Sequence, residues 1–185
     1  YAYLKYTPNL GLHFKRNCED RELHAYVDAD WAGCPDTRRS TTGYVVKLAG
    51  SPVSWSSRRQ RTVAMSTCEA EYVAGYKATQ EIIWIQNMIN DLRIKDLEVA
   101  STSLLIDNNA ALKLTRNPEL HDRTKHIDLK YHFLREMTIG GGINTQRVSS
   151  KDNLADLLTK PLPRDTSGHL IKVLGMDKSY CTNPV

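Results

Sequence analysis

The sequence predicts an α/β fold in which a five-stranded mixed sheet is covered by helices. Three observations carry this. Three β-prone segments joined by short, turn-rich connections precede the first long helical pattern, which reads as an antiparallel meander. The remaining strand patterns then alternate with helical ones, giving the order β-β-β-α-β-α-α-β-α. The composition is that of an ordinary globular chain: 185 residues, 41% hydrophobic and 25% charged, with 10 Gly and 7 Pro. Such a balance excludes a disordered or collagen-like protein, and one domain of common size is expected.

Residues 1–20 contain a short apolar stretch broken at Pro8 and Gly11 and read as the end of a preceding element followed by a linker. The opening residue is Tyr1 rather than Met, so the sequence reads as a piece of something longer. The first strand is His24-Ala-Tyr-Val-Asp28, followed by a turn at residues 33–39. Tyr44-Val-Val-Lys-Leu48 and Val53-Ser-Trp-Ser56 are the next two, connected at residues 50–52. Ser66-Thr-Cys-Glu69 fits a capping box ahead of a helix reaching to about Leu92. Ile82, Ile85, Ile89 and Leu92 fall at helical spacing and form its buried stripe. A compact apolar strand follows at residues 103–107, and Asn108 opens a helix ended by Pro118. An amphipathic helix from Lys125 to Met137 stops at Gly140-Gly-Gly142. Residues 143–148 are the fifth strand, and residues 152–160 a last helix closed by Pro161. A polar tail occupies residues 164–185. Trp31, Trp55 and Trp84 are expected in the core, as large aromatics generally are.

Charge and cysteine narrow the function classes. The formal charge is +4, which permits nucleic acid as a partner without demanding it. No run of ~20 apolar residues is present, so no membrane partner is expected, and no basic-then-apolar leader opens the chain. Cys18, Cys34, Cys68 and Cys181 are scattered and read as free thiols. His121 and His126 have the spacing of half a zinc site, but no cysteine pair accompanies them, so zinc is not expected.

Four acids stand where this fold class places chemistry. Asp28 ends the first strand and Asp107 the fourth; if these are parallel neighbours, their carboxyl ends share one crevice. Glu71 lies in the first turn of the long helix, and Asp156 early in the last one, among Leu154, Leu157 and Leu158. Taken singly, an acid at a helix start serves the dipole and a strand-end Asp starts a turn. Taken together, four converging carboxylates repel one another unless cations neutralise them. All-oxygen ligands favour a hard ion such as Mg²⁺, and the cluster is a candidate two-metal site.

Seven motifs in order resemble the ribonuclease H domain of copia-type (Pseudoviridae) retrotransposon polyproteins. They are Val27-Asp-Ala-Asp-Trp-Ala-Gly33, Arg39-Ser-Thr-Thr-Gly-Tyr44, Cys68-Glu-Ala-Glu-Tyr72, Ile106-Asp-Asn-Asn-Ala110, Thr124-Lys-His-Ile-Asp128, Tyr131-His-Phe and Ala155-Asp-Leu-Leu-Thr-Lys160. The opening residues 3–12 are similar to the end of a reverse transcriptase connection. The resemblance implies a ribonuclease H-like fold over residues 21–163, with the first three strands antiparallel and helices on both faces. It implies hydrolysis of the RNA strand of RNA–DNA hybrids during reverse transcription by two Mg²⁺, with Mn²⁺ as a substitute, held by Asp28, Glu71, Asp107 and Asp156. Glu69 and Asp30 compete for two of these places. Ser66, Thr67 and Asn109 match positions that serve the hybrid in similar domains, although each is equally suited to starting a helix. The polymerase domain of the same polyprotein is the implied partner, and a cytoplasmic virus-like particle or the nucleus the implied location. Cellular relatives carry a His in the loop before the last Asp; residues 147–152 have none, and His169 lies beyond Asp156.

Arg58, Arg59 and Arg61 form a positive cluster, and residues 113–135 hold six Lys/Arg, Arg123 and Lys125 among them, against three acids. Such runs usually mark a solvated face; beside a phosphodiester-cleaving site, phosphate binding explains them better. Two rivals remain: an integrase-like nuclease of the same broad fold, and a catalytically inactive or host-adopted module that only binds nucleic acid or tethers the polymerase.

Overall fold

The computed structural model describes residue 5 and residues 7–14, 22–93, 97, 101–116 and 125–178. Its elements are β1 (Gly11–Leu12), β2 (Leu23–Asp30), β3 (Thr41–Leu48), β4 (Ser51–Arg59), α1 (Thr67–Leu92), β5 (Thr102–Ile106), α2 (Asn109–Arg116), α3 (Lys125–Ile139) and β6 (Ile143–Arg147). A 3₁₀ helix (Leu154–Leu158), α4 (Arg164–Leu174) and β7 (Met176–Asp177) follow. The five-stranded sheet has the order β4-β3-β2-β5-β6. β2, β3 and β4 are antiparallel neighbours, whereas β5 runs parallel to β2 and β6 parallel to β5. This is the expected mixed sheet. Its hairpin turn between β3 and β4 has both central residues in the left-handed region, Ala49 at φ 51° and Gly50 at φ 72°, as a tight two-residue hairpin requires.

Alternation along the strands separates two cores. Leu23, Ala25 and Val27 of β2, Val46 of β3 and Leu104 and Ile106 of β5 pack with Ile82, Ile85 and Ile89 of α1 and Leu134 of α3. On the opposite face Val45 packs with Leu154 and Leu170, flanked by Tyr26, Leu157, Leu162 and Leu174. Helices therefore cover both faces.

Four details differ from the sequence reading. β4 runs to Arg59, so Arg58 and Arg59 stand on a strand. The last helix expected at residues 152–160 is a five-residue 3₁₀ turn, started by Asn153, whose side chain accepts from Ala155 N–H at 3.2 Å. Residues 164–174, expected as tail, form α4: Pro163 stands at its entrance, and Gly175, at φ 94°, closes it. β7 then pairs with β1. Finally, the three tryptophans are exposed by 43% (Trp31), 55% (Trp55) and 60% (Trp84). Trp84 sits about 200° around the helix from Ile82, on the face away from the sheet. Trp31 follows the end of β2, and its indole N–H donates to Ala64 C=O at 3.0 Å.

Candidate active site

Parallel pairing of Val27 with Ile106 brings the carboxyl ends of β2 and β5 side by side. Asp28 is the next residue on one strand and Asp107 follows the other. By the two-residue period, Asp28 shares the sheet face of Tyr26, the face that carries the 3₁₀ helix. α1 begins beside these strand ends. Ser66 caps it by accepting from Glu69 N–H at 3.1 Å, and Glu69 Oε2 turns back to Met65 N–H at 2.8 Å. Glu69 is thereby engaged in the cap. Glu71, two residues on, is 6% exposed and accepts from Ala29 N–H. Asp28, Glu71 and Asp107 each offer an oxygen, and these oxygens all lie within 4.8 Å of one another. Asp30 is folded over the Gly33 backbone and is not part of this set.

Asp156 arrives from the other layer. Its 3₁₀ helix is fastened to β2 by Asn153, fully buried, whose amide donates to Val27 C=O at 2.9 Å. It is fastened to β4 by Ser57, whose hydroxyl donates to Leu158 C=O at 2.6 Å. Gly43 pairs directly with Asp28 and lets this helix approach: a Cβ there would meet Thr159 Cγ2 at 2.6 Å and Ala155 O at 3.0 Å. Asp156 is 4% exposed and stands outside the three-acid set, connected to it through Lys160. Lys160 Nζ lies 3.0 Å from Asp156 Oδ1 and 3.5 Å from Asp28 Oδ2. Thr159 Oγ1 donates to Asp28 Oδ2.

The electrostatics follow from burial. Burial, then the charges of Asp28 and Asp107, push the Glu71 carboxyl up to about 9. Asp156 rises to about 6, first through burial, against the hydrogen bond from Lys160. Burial works against the Lys160 charge, but Asp156 and Asp28 outweigh it and its pKa is raised. Glu71 Oε2 is buried without a hydrogen-bond partner. The donor set is all oxygen, and atoms within 4.8 Å of each other can share a hard cation with ligands at about 2.0–2.1 Å, or a pair about 3.5–4 Å apart. The residues present fit divalent cations held by Asp28, Glu71 and Asp107, with Asp156 completing the rim.

The expected nucleic-acid residues surround this centre unevenly. Ser66, Thr67 and Asn109 are exposed at the starts of α1 and α2. The cap of α2 is Asn108, whose Oδ1 accepts from Ala110 and Ala111 N–H at 2.9 and 3.1 Å. Arg58 pairs with Thr42 and Arg59 with Thr41, at the same sheet end as Asp28 and about 10 Å away, two strand spacings. Arg61 is exposed just beyond. Arg123, His121 and the start of the Thr124–Asp128 motif lie outside the described residues, and Lys125 is described only as backbone. His169 of α4 meets Asp152 Oδ1 at 3.4 Å, both exposed. Sequence reasoning assigned no role to Gly43, Asn153, Thr159 or Lys160; the i, i+4 spacing of Asp156 and Lys160 was the available signal. Among the described residues Cys34 and Cys68 are free thiols, and no helix is long and apolar enough to cross a membrane.

No family model matches the chain. It is 40% identical over 176 residues, 95% of its length, to the retrovirus-related Pol polyprotein from transposon RE1 of Arabidopsis thaliana. To that from transposon TNT 1-94 of Nicotiana tabacum it is 38% identical over 157 residues, 85% of its length. It covers 12% of each, and so spans about an eighth of these relatives. Among solved structures, LC11-RNase H1 from compost superposes with a TM-score of 0.56 at 14% identity, covering 75% of this chain and 93% of that one. The homologues of this chain are thus copia-type retrotransposon Pol polyproteins, and its architecture is that of ribonuclease H.

Proposed function

We propose that the chain is a divalent-metal-dependent ribonuclease H that hydrolyses the RNA strand of RNA–DNA hybrids within a retrotransposon polyprotein. The observation that carries this is the convergence of Asp28, Glu71 and Asp107 within 4.8 Å, with a buried Glu71 oxygen left without a partner. Such an arrangement is electrostatically unfavourable by itself and is relieved by cations. In support, a structure of LC11-RNase H1 with the same architecture was solved in complex with an RNA/DNA hybrid.

Divalent ions, Mg²⁺ with Mn²⁺ as a substitute, would be held by Asp28, Glu71, Asp107 and Asp156 and would supply activation of a water and stabilisation of the departing 3′ oxygen. The remaining work is done by the chain. Asp28 is oriented by the Thr159 hydroxyl, and Glu71, which accepts from Ala29 N–H, would give up its proton to serve as a ligand. Asp156 is set against Asp28 by Asn153 and Gly43. The P–O3′ bond breaks as the bond from the water oxygen to phosphorus forms, and the proton that water loses is matched by one that the 3′ oxygen takes up from solvent, leaving a 5′-phosphate and a 3′-hydroxyl. Ser66, Thr67 and Asn109, exposed beside the acids, meet the minor groove, where 2′-hydroxyls distinguish RNA. Arg58, Arg59 and Arg61 hold the backbone.

The test is cleavage of a labelled RNA–DNA hybrid beside double-stranded DNA, with Mg²⁺ and with chelator. Hybrid cutting that requires Mg²⁺ is expected, and Asp107→Asn should abolish it while hybrid binding persists. Undiminished cutting by Asp107→Asn would refute the assignment; binding without cutting by the wild-type chain would favour the tether reading.

A further inference from the structure

Lys160 is the cation already inside the acidic centre. Its Nζ is 3.0 Å from Asp156 Oδ1 and 3.5 Å from Asp28 Oδ2, so one ammonium bridges acids from opposite layers of the fold. Both acids are almost fully buried, whereas the Lys160 side chain is 36% exposed. The acids are fixed: Asp28 by the Thr159 hydroxyl, and Asp156 by a helix anchored through Asn153 and Ser57. Lys160 stands just past the end of that helix on a flexible four-carbon stem, and its partial exposure gives the ammonium a path into solvent. The head group can therefore move out into water while the acids stay in place.

We propose that Lys160 is a built-in, displaceable counter-cation that occupies the Asp28–Asp156 side of the centre until a divalent ion takes it. It is a positioning residue that sets the cation concentration at which the site fills. The chemistry is competition for the same oxygens. An ammonium satisfies two carboxylates from 3.0–3.5 Å, whereas Mg²⁺ draws the same oxygens to about 2.0–2.1 Å. Two cations crowded between one pair of acids repel each other, so the mobile one leaves. Without metal, the ammonium keeps the two acids from repelling each other and so holds the 3₁₀ helix against β2. This rests on the proposed metal-dependent reading of the centre.

The experiment is titration of the 185-residue chain with Mg²⁺ and Mn²⁺ by calorimetry at one fixed pH, comparing wild type, Lys160→Met and Lys160→Arg. Lys160→Met should bind the ions about tenfold more tightly, because a unit positive charge has been removed from their side. Lys160→Arg keeps the charge and should bind as wild type does. In chelator, Lys160→Met should melt at a lower temperature than wild type, and Mg²⁺ should close the gap. In the wild-type chain itself, Mg²⁺ should increase labelling of Lys160 by an amine-reactive ester, read by mass spectrometry. Equal or weaker ion binding by Lys160→Met, or labelling that Mg²⁺ leaves unchanged, overturns the proposal while the metal-dependent reading stands. Failure of the wild-type chain to bind either ion overturns both.

Discussion

Burial of Glu71 beside Asp28 and Asp107 raises its carboxyl from an ordinary 4.5 to about 9, so at neutral pH the folded chain holds a proton that the unfolded chain has lost. Between those two values the folded state binds more protons, so stability falls as pH rises. The contribution is full below about 4.5, declines through the interval and is gone above about 9. Glu71→Gln keeps the shape and escapes this penalty. In chelator it should therefore be more stable than wild type by on the order of 3 kcal/mol near pH 7. That margin should grow between about pH 5 and pH 8; thermal melts across the range check it, and a margin independent of pH would contradict the burial argument. Metal should reverse the ranking, since Gln cannot supply a carboxylate. At this scale the sequence was only partly legible. Spacing left Asp28 and Asp30 equivalent because residues two apart on a strand share a face, and Glu69 and Glu71 because both fall at the start of one helix. The structure separates them by what each side chain touches: Glu69 serves the α1 cap, Asp30 covers Gly33, and the other two meet.

The element that decides whether Asp156 approaches the other acids is five residues long. A 3₁₀ helix of that length has no stability of its own, and its position comes from β3, β2 and β4. Gly43 provides the closest contact, since any Cβ there runs into Thr159 and Ala155. Gly43→Ala should cost about 1–3 kcal/mol by overpacking and lift Asp156 away from Asp28, so hybrid cleavage should fall even at temperatures where the variant is fully folded. Denaturant melts and cleavage rates measured together check this; a destabilised variant with undiminished cleavage would show that Asp156 does not depend on the approach. Asn153→Ala removes the hydrogen bond to Val27 C=O and leaves that buried carbonyl without it, at a cost of about 1–3 kcal/mol. Long elements were readable because periodicity sums over many residues: α1 appears with Ile82, Ile85 and Ile89 of the expected stripe buried, whereas Leu92, the last residue of the helix and beyond the sheet it packs on, is 62% exposed. Short ones were not. α4 holds Gly168 in its middle and buries only Leu170 fully, so its apolar signal is thin, and the flanking Pro163 and Gly175 were the better markers. The tryptophans mislead for another reason. Aromatic residues on an edge strand or an outer helix face are common enough that composition alone cannot assign them to a core.

Across the whole molecule, a net charge of +4 is too small to attract a polyanion without local concentration. β4 supplies that concentration: its last two residues, Arg58 and Arg59, and Arg61 beyond it, are exposed at the sheet end where the acids converge. The backbones of β4 and β2 lie about 10 Å apart along one rim, two strand spacings, and in the proposed binding mode a duplex backbone rests on the arginines while a phosphate reaches the acids. This division of labour separates affinity from chemistry. The double variant Arg58→Ala, Arg59→Ala should weaken hybrid binding and reduce the slope of log affinity against log salt by up to about 2, one per lost phosphate contact. In the proposed binding mode these side chains hold the backbone without touching the reacting phosphate, so the cleavage rate at saturating hybrid should change little. The loss should also be similar for hybrids of different sequence, since phosphates carry no base information. Binding isotherms at several salt concentrations, with single-turnover cleavage at saturation, measure both quantities. An unchanged salt slope would remove the arginines from the interface, and a reduced saturated rate would bring them into the chemistry.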